Sequence, residues 1–190
     1  MIPNRKIILG SQSPRRKELL AGLDIDFTIR VADIVEDFPE DLPIPQIAEY
    51  IARKKMHALR DSMREEELII CSDTIVVIHN EILGKPVDRK EATAMLQKLS
   101  GNTHKVITGV AMADQFKEIS FSDQTLVTFK KLTLEEIDYY LDHYQPYDKA
   151  GSYGVQEWIG MMGIVKMDGS YFTVMGLPVH LIYDYLSKWS

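Results

Sequence analysis

Residues Gly10-Ser11-Gln12-Ser13-Pro14-Arg15-Arg16-Lys17 gather hydroxyls, backbone amides and three cations at the start of an expected helix. Ser13 suits the N-cap, Pro14 the first helical position and Gly22 the end. Cations in a first turn oppose the helix dipole, which favours acidic residues there by a few tenths to about 1 kcal/mol each. A bound anion reverses that penalty. Amides, serine hydroxyls and guanidinium forks together describe a phosphate site. The plainer alternative is a surface helix with badly placed arginines, because exposed charges count for little.

Four further groups have chemical potential. Asp73 interrupts the apolar run 68–78, where a carboxylate needs a cation or a metal unless it caps a strand end or accepts from a neighbouring amide. Lys55 falls on the stripe of Ile47, Ile51 and Leu59, where it either snorkels to solvent or meets a ligand. Lys85 is fixed between Gly84 and Pro86, as a binding group or an ordinary turn lysine. Lys149 and Gln156 bracket Ala150-Gly151-Ser152-Tyr153-Gly154-Val155, a candidate polar loop whose glycines alone do not distinguish it from a simple helix-to-strand turn. Asp33, Glu36 and Asp37 form either a solvated acidic loop or a source of one more ligand beside Asp73. Magnesium takes one or two carboxylates and completes its shell with phosphate and water. There is no Walker loop, no Gly-x-Gly-x-x-Gly, no His-Glu-x-x-His pair, and no evident histidine partner for Cys71. Cations, carboxylates and small hydroxyl residues remain, a set suited to a nucleotide polyphosphate with a divalent metal.

These residues need a scaffold. The pattern predicts strands at about 6–10, 27–31, 68–78, 105–113 and 119–129. It predicts helices at 13–22, 45–63, 88–101 (Asp88 and Glu91 as a capping box) and from Thr133, boxed with Glu136, to before Pro146. Residues 161–167 and 171–175 read as a hairpin around Asp168-Gly169. A final helix begins near Pro178. Interleaved helices with hairpin-linked strands predict an α/β fold with a mixed sheet flanked by helices.

Composition narrows the class. The chain has 190 residues, 45% hydrophobic and 26% charged, with net charge −6, enough for a single domain over 1–190 with a real core. An acidic balance argues against nucleic acid as partner. The single cysteine excludes an intrachain disulfide, and Cys71 reads as a small buried hydrophobe. No apolar run reaches the roughly 18 residues of a membrane span or makes a signal core. The expectation is a cytoplasmic protein without membrane contact.

Six ordered segments resemble the Maf family of nucleoside triphosphate pyrophosphatases. They are Ser11–Arg16, Ser72-Asp73-Thr74-Ile75-Val76, Gly84-Lys85-Pro86, Leu99-Ser100-Gly101-x-Thr103-His104, Asp148–Gln156, and Gly169-Ser170-Tyr171 with Val174–Pro178. The resemblance implies a mixed twisted sheet with two lobes around a central cleft, as in inosine-triphosphatase-like proteins. It implies hydrolysis of the α–β anhydride of a nucleoside triphosphate to the monophosphate and pyrophosphate. Asp73 would accept the proton of the attacking water. Arg15, Thr74 and Gln156 match positions that separate the family's substrate branches, and this combination looks like the dTTP/UTP branch rather than the 7-methyl-GTP branch. Ser11, Arg16, Lys55 and Lys85 match polar cleft positions, with Arg16 towards the phosphates. Glu36 matches an acidic residue near the metal, so Glu36 and Asp73 would hold Mg²⁺ or Mn²⁺. The resemblance also suggests a homodimer. A different class, a nucleotide-binding regulator of cell division and septum formation with secondary hydrolysis, is the alternative. Ser72 and Ser152 are small-for-small departures from the family pattern, and Glu157-Trp158-Ile159-Gly160 is unfamiliar.

Overall fold

The structure is a computed structural model that describes residues 5–189. Strand β1 (Lys6–Leu9) leads to helix α1 (Pro14–Ala21), β2 (Phe27–Ile29) and α2 (Ile44–Arg60). Next come β3 (Glu67–Ile78), β4 (Glu81–Leu83), α3 (Arg89–Leu99), β5 (Thr103–Ala113) and β6 (Glu118–Phe129). The remainder is α4 (Leu134–Tyr144), a 3₁₀ turn (Ala150–Ser152), α5 (Trp158–Gly163), β7 (Ile164–Asp168), α6 (Tyr171–Met175) and α7 (Val179–Ser187). The strands form one mixed sheet in the order β2-β1-β3-β5-β6-β7, with β4 on β3. β1 runs parallel to β2 and β3, whereas β4 and β7 are antiparallel to β3 and β6. The expected mixed α/β sheet is present.

Contacts divide the chain into two units. The first holds the residues up to Asp73, Thr108–Asp123 and the chain from Gly176; the second holds Thr74–Ile107 and Gln124–Met175. The core of the first unit is built by α2. Its apolar positions recur at three- and four-residue spacing, so Ala52, Met56 and Leu59 pack with Ile8, Ile69, Cys71, Ala111 and Ala113. Burying a side chain such as Met56 or Leu59 contributes about 1.5–3 kcal/mol. Cys71 is buried as expected, and burial pushes its thiol up to about 12. In the second unit α3 packs against α4 and the 3₁₀ turn.

The caps follow the sequence closely. Thr133 and Glu136 form the full reciprocal box of α4. Asp88 accepts from the Glu91 amide at 2.8 Å, while the Glu91 carboxylate reaches the Val87 amide at 2.7 Å, one residue before the cap. Ser13 sits at the N-cap of α1 without a side-chain cap bond, and Gly22 ends that helix at φ −65° rather than in the left-handed region.

The expected hairpin 161–175 is not formed. Residues 158–163 are helical, β7 alone pairs with β6, and Tyr171–Met175 is one helical turn. The cause is tertiary. Gly169, at φ +130°, lies so close to β6 that a Cβ there would stand 2.9 Å from the Thr125 Cα. The Thr125 hydroxyl donates to the Ser170 carbonyl at 3.0 Å, and the Val174 amide closes onto the same oxygen. The chain is thus turned into a helix against its strand-like composition.

Candidate active site

In the first unit the chemistry centres on Lys55. α2 carries it on the sheet-facing stripe, and its ammonium lies 2.7 Å from Asp73 Oδ1 and 2.9 Å from Glu36 Oε1. The Lys55 and Asp73 side chains are 14% and 11% exposed, Glu36 48%. The ammonium therefore answers the carboxylate that β3 buries, and Asp73 is neither a strand cap nor an isolated charge. The loop 30–43 brings Glu36 to the same nitrogen. Asp37 instead pairs with Lys54.

Arg16 occupies a different place from a bare phosphate ligand. Its Nε donates to the Gly176 carbonyl at 2.9 Å and its Nη1 to the Ser72 carbonyl at 2.9 Å. Ser11 Oγ lies 3.4 Å from Nη1 and accepts from the Ser13 amide at 3.2 Å. The guanidinium thus ties the start of α1 to the residue before Asp73 and to the chain entering α7. Burial pulls the Arg16 pKa below its usual value, opposed by the nearby negative charge of Asp73. Arg15 is half-buried in the same first turn.

The second unit carries Thr74, Lys85 and Gln156. Thr74 follows Asp73 on β3 and is half-buried; Lys85 is exposed. The Gly151 amide donates to the Gly84 carbonyl at 3.0 Å, so the turn bearing Lys85 is bonded to the loop bearing Gln156. That loop is heavily determined. His104 on β5 bonds the Tyr153 hydroxyl through Nε2 at 2.7 Å, and both rings pack on Phe129. Burial lowers the His104 pKa to about 4 and raises that of Tyr153, so both are neutral. Lys149 is buried and pairs with Asp148 at 2.7 Å and Glu157 at 3.1 Å.

Among the described residues, three buried side-chain atoms lack a hydrogen-bond partner: His104 Nδ1, Ser152 Oγ and Gln156 Oε1. Two lie on this one loop and the third belongs to the residue that braces it. Orphaned buried polar atoms are rare enough to ask for an explanation, and a ligand-binding loop supplies one. Sequence reasoning missed Tyr140, Glu157 and the Ser72 and Gly176 carbonyls. Only Glu157 left a signal, as an unfamiliar acidic residue beside a glycine-rich segment.

No group of three or more His, Cys, Asp or Glu side chains among the described residues forms a metal cage. No helix among them is long and apolar enough to cross a membrane.

The chain matches the model of the Maf-like protein family over residues 6–189. A Porphyromonas gingivalis (strain W83) protein named dTTP/UTP pyrophosphatase is 54% identical over 187 residues, covering 97% of this chain and 94% of that protein. Proteins of the same name from Parabacteroides distasonis and Flavobacterium psychrophilum are each 51% identical, over 97% and 96% of this chain and 96% and 94% of their own lengths. The solved Ham1 protein of Staphylococcus aureus shares the fold at TM-score 0.57 and 11% identity, covering 98% of this chain and all of that one.

Proposed function

The chain belongs to the Maf family, and from that premise we propose that it is a nucleoside triphosphate pyrophosphatase acting on dTTP and UTP. The observation that carries the reading is the buried Asp73 carboxylate held by Lys55 together with Glu36. The names of relatives at 51–54% identity over almost their full length support the choice of nucleotide.

Water adds across the α–β anhydride, giving the nucleoside monophosphate and pyrophosphate. Asp73 accepts the proton that water loses. Lys55 holds that carboxylate in place through their 2.7 Å contact, and Lys55, Arg15 and Lys85 each supply positive charge suited to a triphosphate. Arg16 fixes the Ser72 carbonyl and hence the backbone that carries Asp73.

A divalent cation fits the donors. Glu36 and Asp73 present hard oxygens to one cationic point, which suits Mg²⁺ or Mn²⁺ with phosphate oxygens and water as the remaining ligands. When bound, such an ion neutralises phosphate charge.

Base choice is assigned to Arg15, Thr74 and Gln156. The orphaned Gln156 carbonyl is an acceptor without a donor. Thymine and uracil offer an N3–H donor beside the O4 acceptor, complementary to a carboxamide. Cytosine reverses both groups.

A substrate panel tests the reading. Pyrophosphate release with Mg²⁺ or Mn²⁺ is measured for the common triphosphates, with Asp73→Asn alongside. The expected result is a preference for dTTP and UTP, with turnover lower by about 10²–10⁴ in the variant. Turnover of Asp73→Asn equal to the parent refutes the mechanism.

A further inference from the structure

We propose that Glu157, Lys149 and Tyr140 form a clasp that holds loop 149–157 in the shape from which Gln156 reads the base, making Glu157 a specificity-positioning residue. The inference rests on the assignment of Gln156 to base choice above.

The bonds form a closed circuit. Lys149 Nζ, at one end of the loop, lies 3.1 Å from Glu157 Oε1 at the other. The Tyr140 hydroxyl on α4 donates to Glu157 Oε2. The same hydroxyl oxygen accepts from the Gly154 amide at 3.0 Å. The two ends of the loop therefore meet at one carboxylate, its middle is held by the Tyr140 hydroxyl that donates to that carboxylate, and Gln156 lies inside the tie.

Three observations separate this from an ordinary surface ion pair. First, Lys149 is buried at 8% exposure, so the pair carries a desolvation cost that bulk water does not relieve. Second, Glu157 stands at the N-cap of α5 yet makes no side-chain cap bond, its carboxylate being turned back to Lys149 and Tyr140. Third, a Cβ at residue 154 would lie 2.6 Å from Glu157 Cδ, so the carboxylate sits directly on a glycine backbone. A buried pair of this kind adds little net stability but fixes geometry. What it fixes here is the backbone on either side of a glutamine whose acceptor is unpartnered.

Glu157→Gln keeps the size of the side chain and removes its charge, leaving Lys149 paired with the more exposed Asp148 alone. Steady-state kinetics with dTTP and dCTP, and hydrogen exchange of the Gly154 amide, are measured on the full-length variant and parent. The expected outcome is a fall of at least fivefold in the dTTP-over-dCTP ratio of kcat/KM, carried by a higher KM for dTTP. In that outcome kcat for dTTP stays within about twofold, Gly154 exchange is faster, and Glu157→Asp recovers part of the ratio. An unchanged ratio, or an equal loss of kcat on both substrates, overturns the clasp. If Glu157→Gln does not fold, Tyr140→Phe carries the same test with the same outcomes. The parent separates the two readings: no preference of the parent for dTTP refutes the proposed function, whereas a parent preference that survives in the variants refutes only the clasp.

Discussion

Lys55 and Asp73 touch each other, yet their removal has different consequences. Lys55→Met deletes the ammonium shared by two carboxylates. The nearly buried Asp73 side chain then loses its direct partner and keeps only the nearby charge of Arg16; breaking a buried pair costs about 3–5 kcal/mol. The Glu36 arm is half exposed and adds roughly 0–1 kcal/mol. Asp73→Asn is milder. Its amide oxygen still accepts from Lys55, which retains Glu36, so the loss is that of a charged hydrogen bond weakened to a neutral one, about 1–2 kcal/mol. For a chain of this length each kcal/mol shifts Tm by roughly 2–4 °C, giving drops of roughly 6–24 °C and 2–8 °C. Urea unfolding at neutral pH without metal measures both. Magnesium then discriminates further. In Lys55→Met two carboxylates are released from an ammonium, and a cation at about 100 times its Kd returns ~2.7 kcal/mol. In Asp73→Asn one carboxylate is gone, so added Mg²⁺ returns much less. The ordering is thus Asp73→Asn more stable than Lys55→Met in chelator, with the gap narrowing in Mg²⁺. Equal stability of Lys55→Met and the parent in chelator, or equal gains from Mg²⁺ in both variants, refutes the assignment of Lys55 as counter-ion to the two carboxylates.

His104 gives a pH signature. Burial lowers its pKa to about 4, below the unfolded value near 6.5, so protons bind the unfolded chain preferentially. The stability is fully present above pH 6.5 and is lost as pH falls towards 4, by about 2 kcal/mol between pH 7 and pH 5. Urea titrations at those two pH values are expected to show this drop, and His104→Gln to lack it; the same drop in the variant removes His104 as its source. Arg16→Lys keeps the charge but not the planar fork that reaches the Gly176 and Ser72 carbonyls at 2.9 Å each. It is expected to lower kcat about tenfold while KM for dTTP changes less, because Asp73 follows Ser72. A rise in KM with kcat unchanged would show that Arg16 serves binding rather than positioning.

The legible parts of the site were those that break a local pattern. Lys55 interrupts an apolar helical stripe and Asp73 an apolar strand, and the two anomalies prove to be one ion pair. The reason is physical: a buried charge must find an opposite charge, so two misfits on facing elements point to each other. The caps at Asp88 and Thr133 were legible because they are set by residues within one turn, although only Thr133 and Glu136 close the reciprocal box. Arg16 was legible as an anomaly but not in its partners, since carbonyl oxygens of Ser72 and Gly176 leave no mark on residue type. Tyr140 was hidden because its hydroxyl serves Gly154 and Glu157 across a chain separation that periodicity does not span. The run Tyr171–Met175 misled for a related reason: its composition favours a strand, but Thr125 and Gly169 place it where a helical turn is required.

The two units satisfy their polar groups differently. In the first, Lys55 serves both carboxylates and Arg16 serves two carbonyls. Its charges are complementary before any substrate arrives, which lets a carboxylate stay buried on β3. In the second, three buried polar atoms are left over, each costing about 1–3 kcal/mol. They are confined to the loop bearing Gln156 and its brace, while Lys149 and Glu157 of that loop pair with each other and Tyr140 of α4 bonds Glu157 and Gly154. A loop pinned this firmly cannot relieve its own orphans by relaxing. A ligand that brings a donor to Gln156 Oε1 recovers a penalty already present, and one that brings an acceptor does not. On the proposed reading of Gln156, discrimination between bases would arise from a cost the folded loop carries in advance, its size set by how little the loop yields.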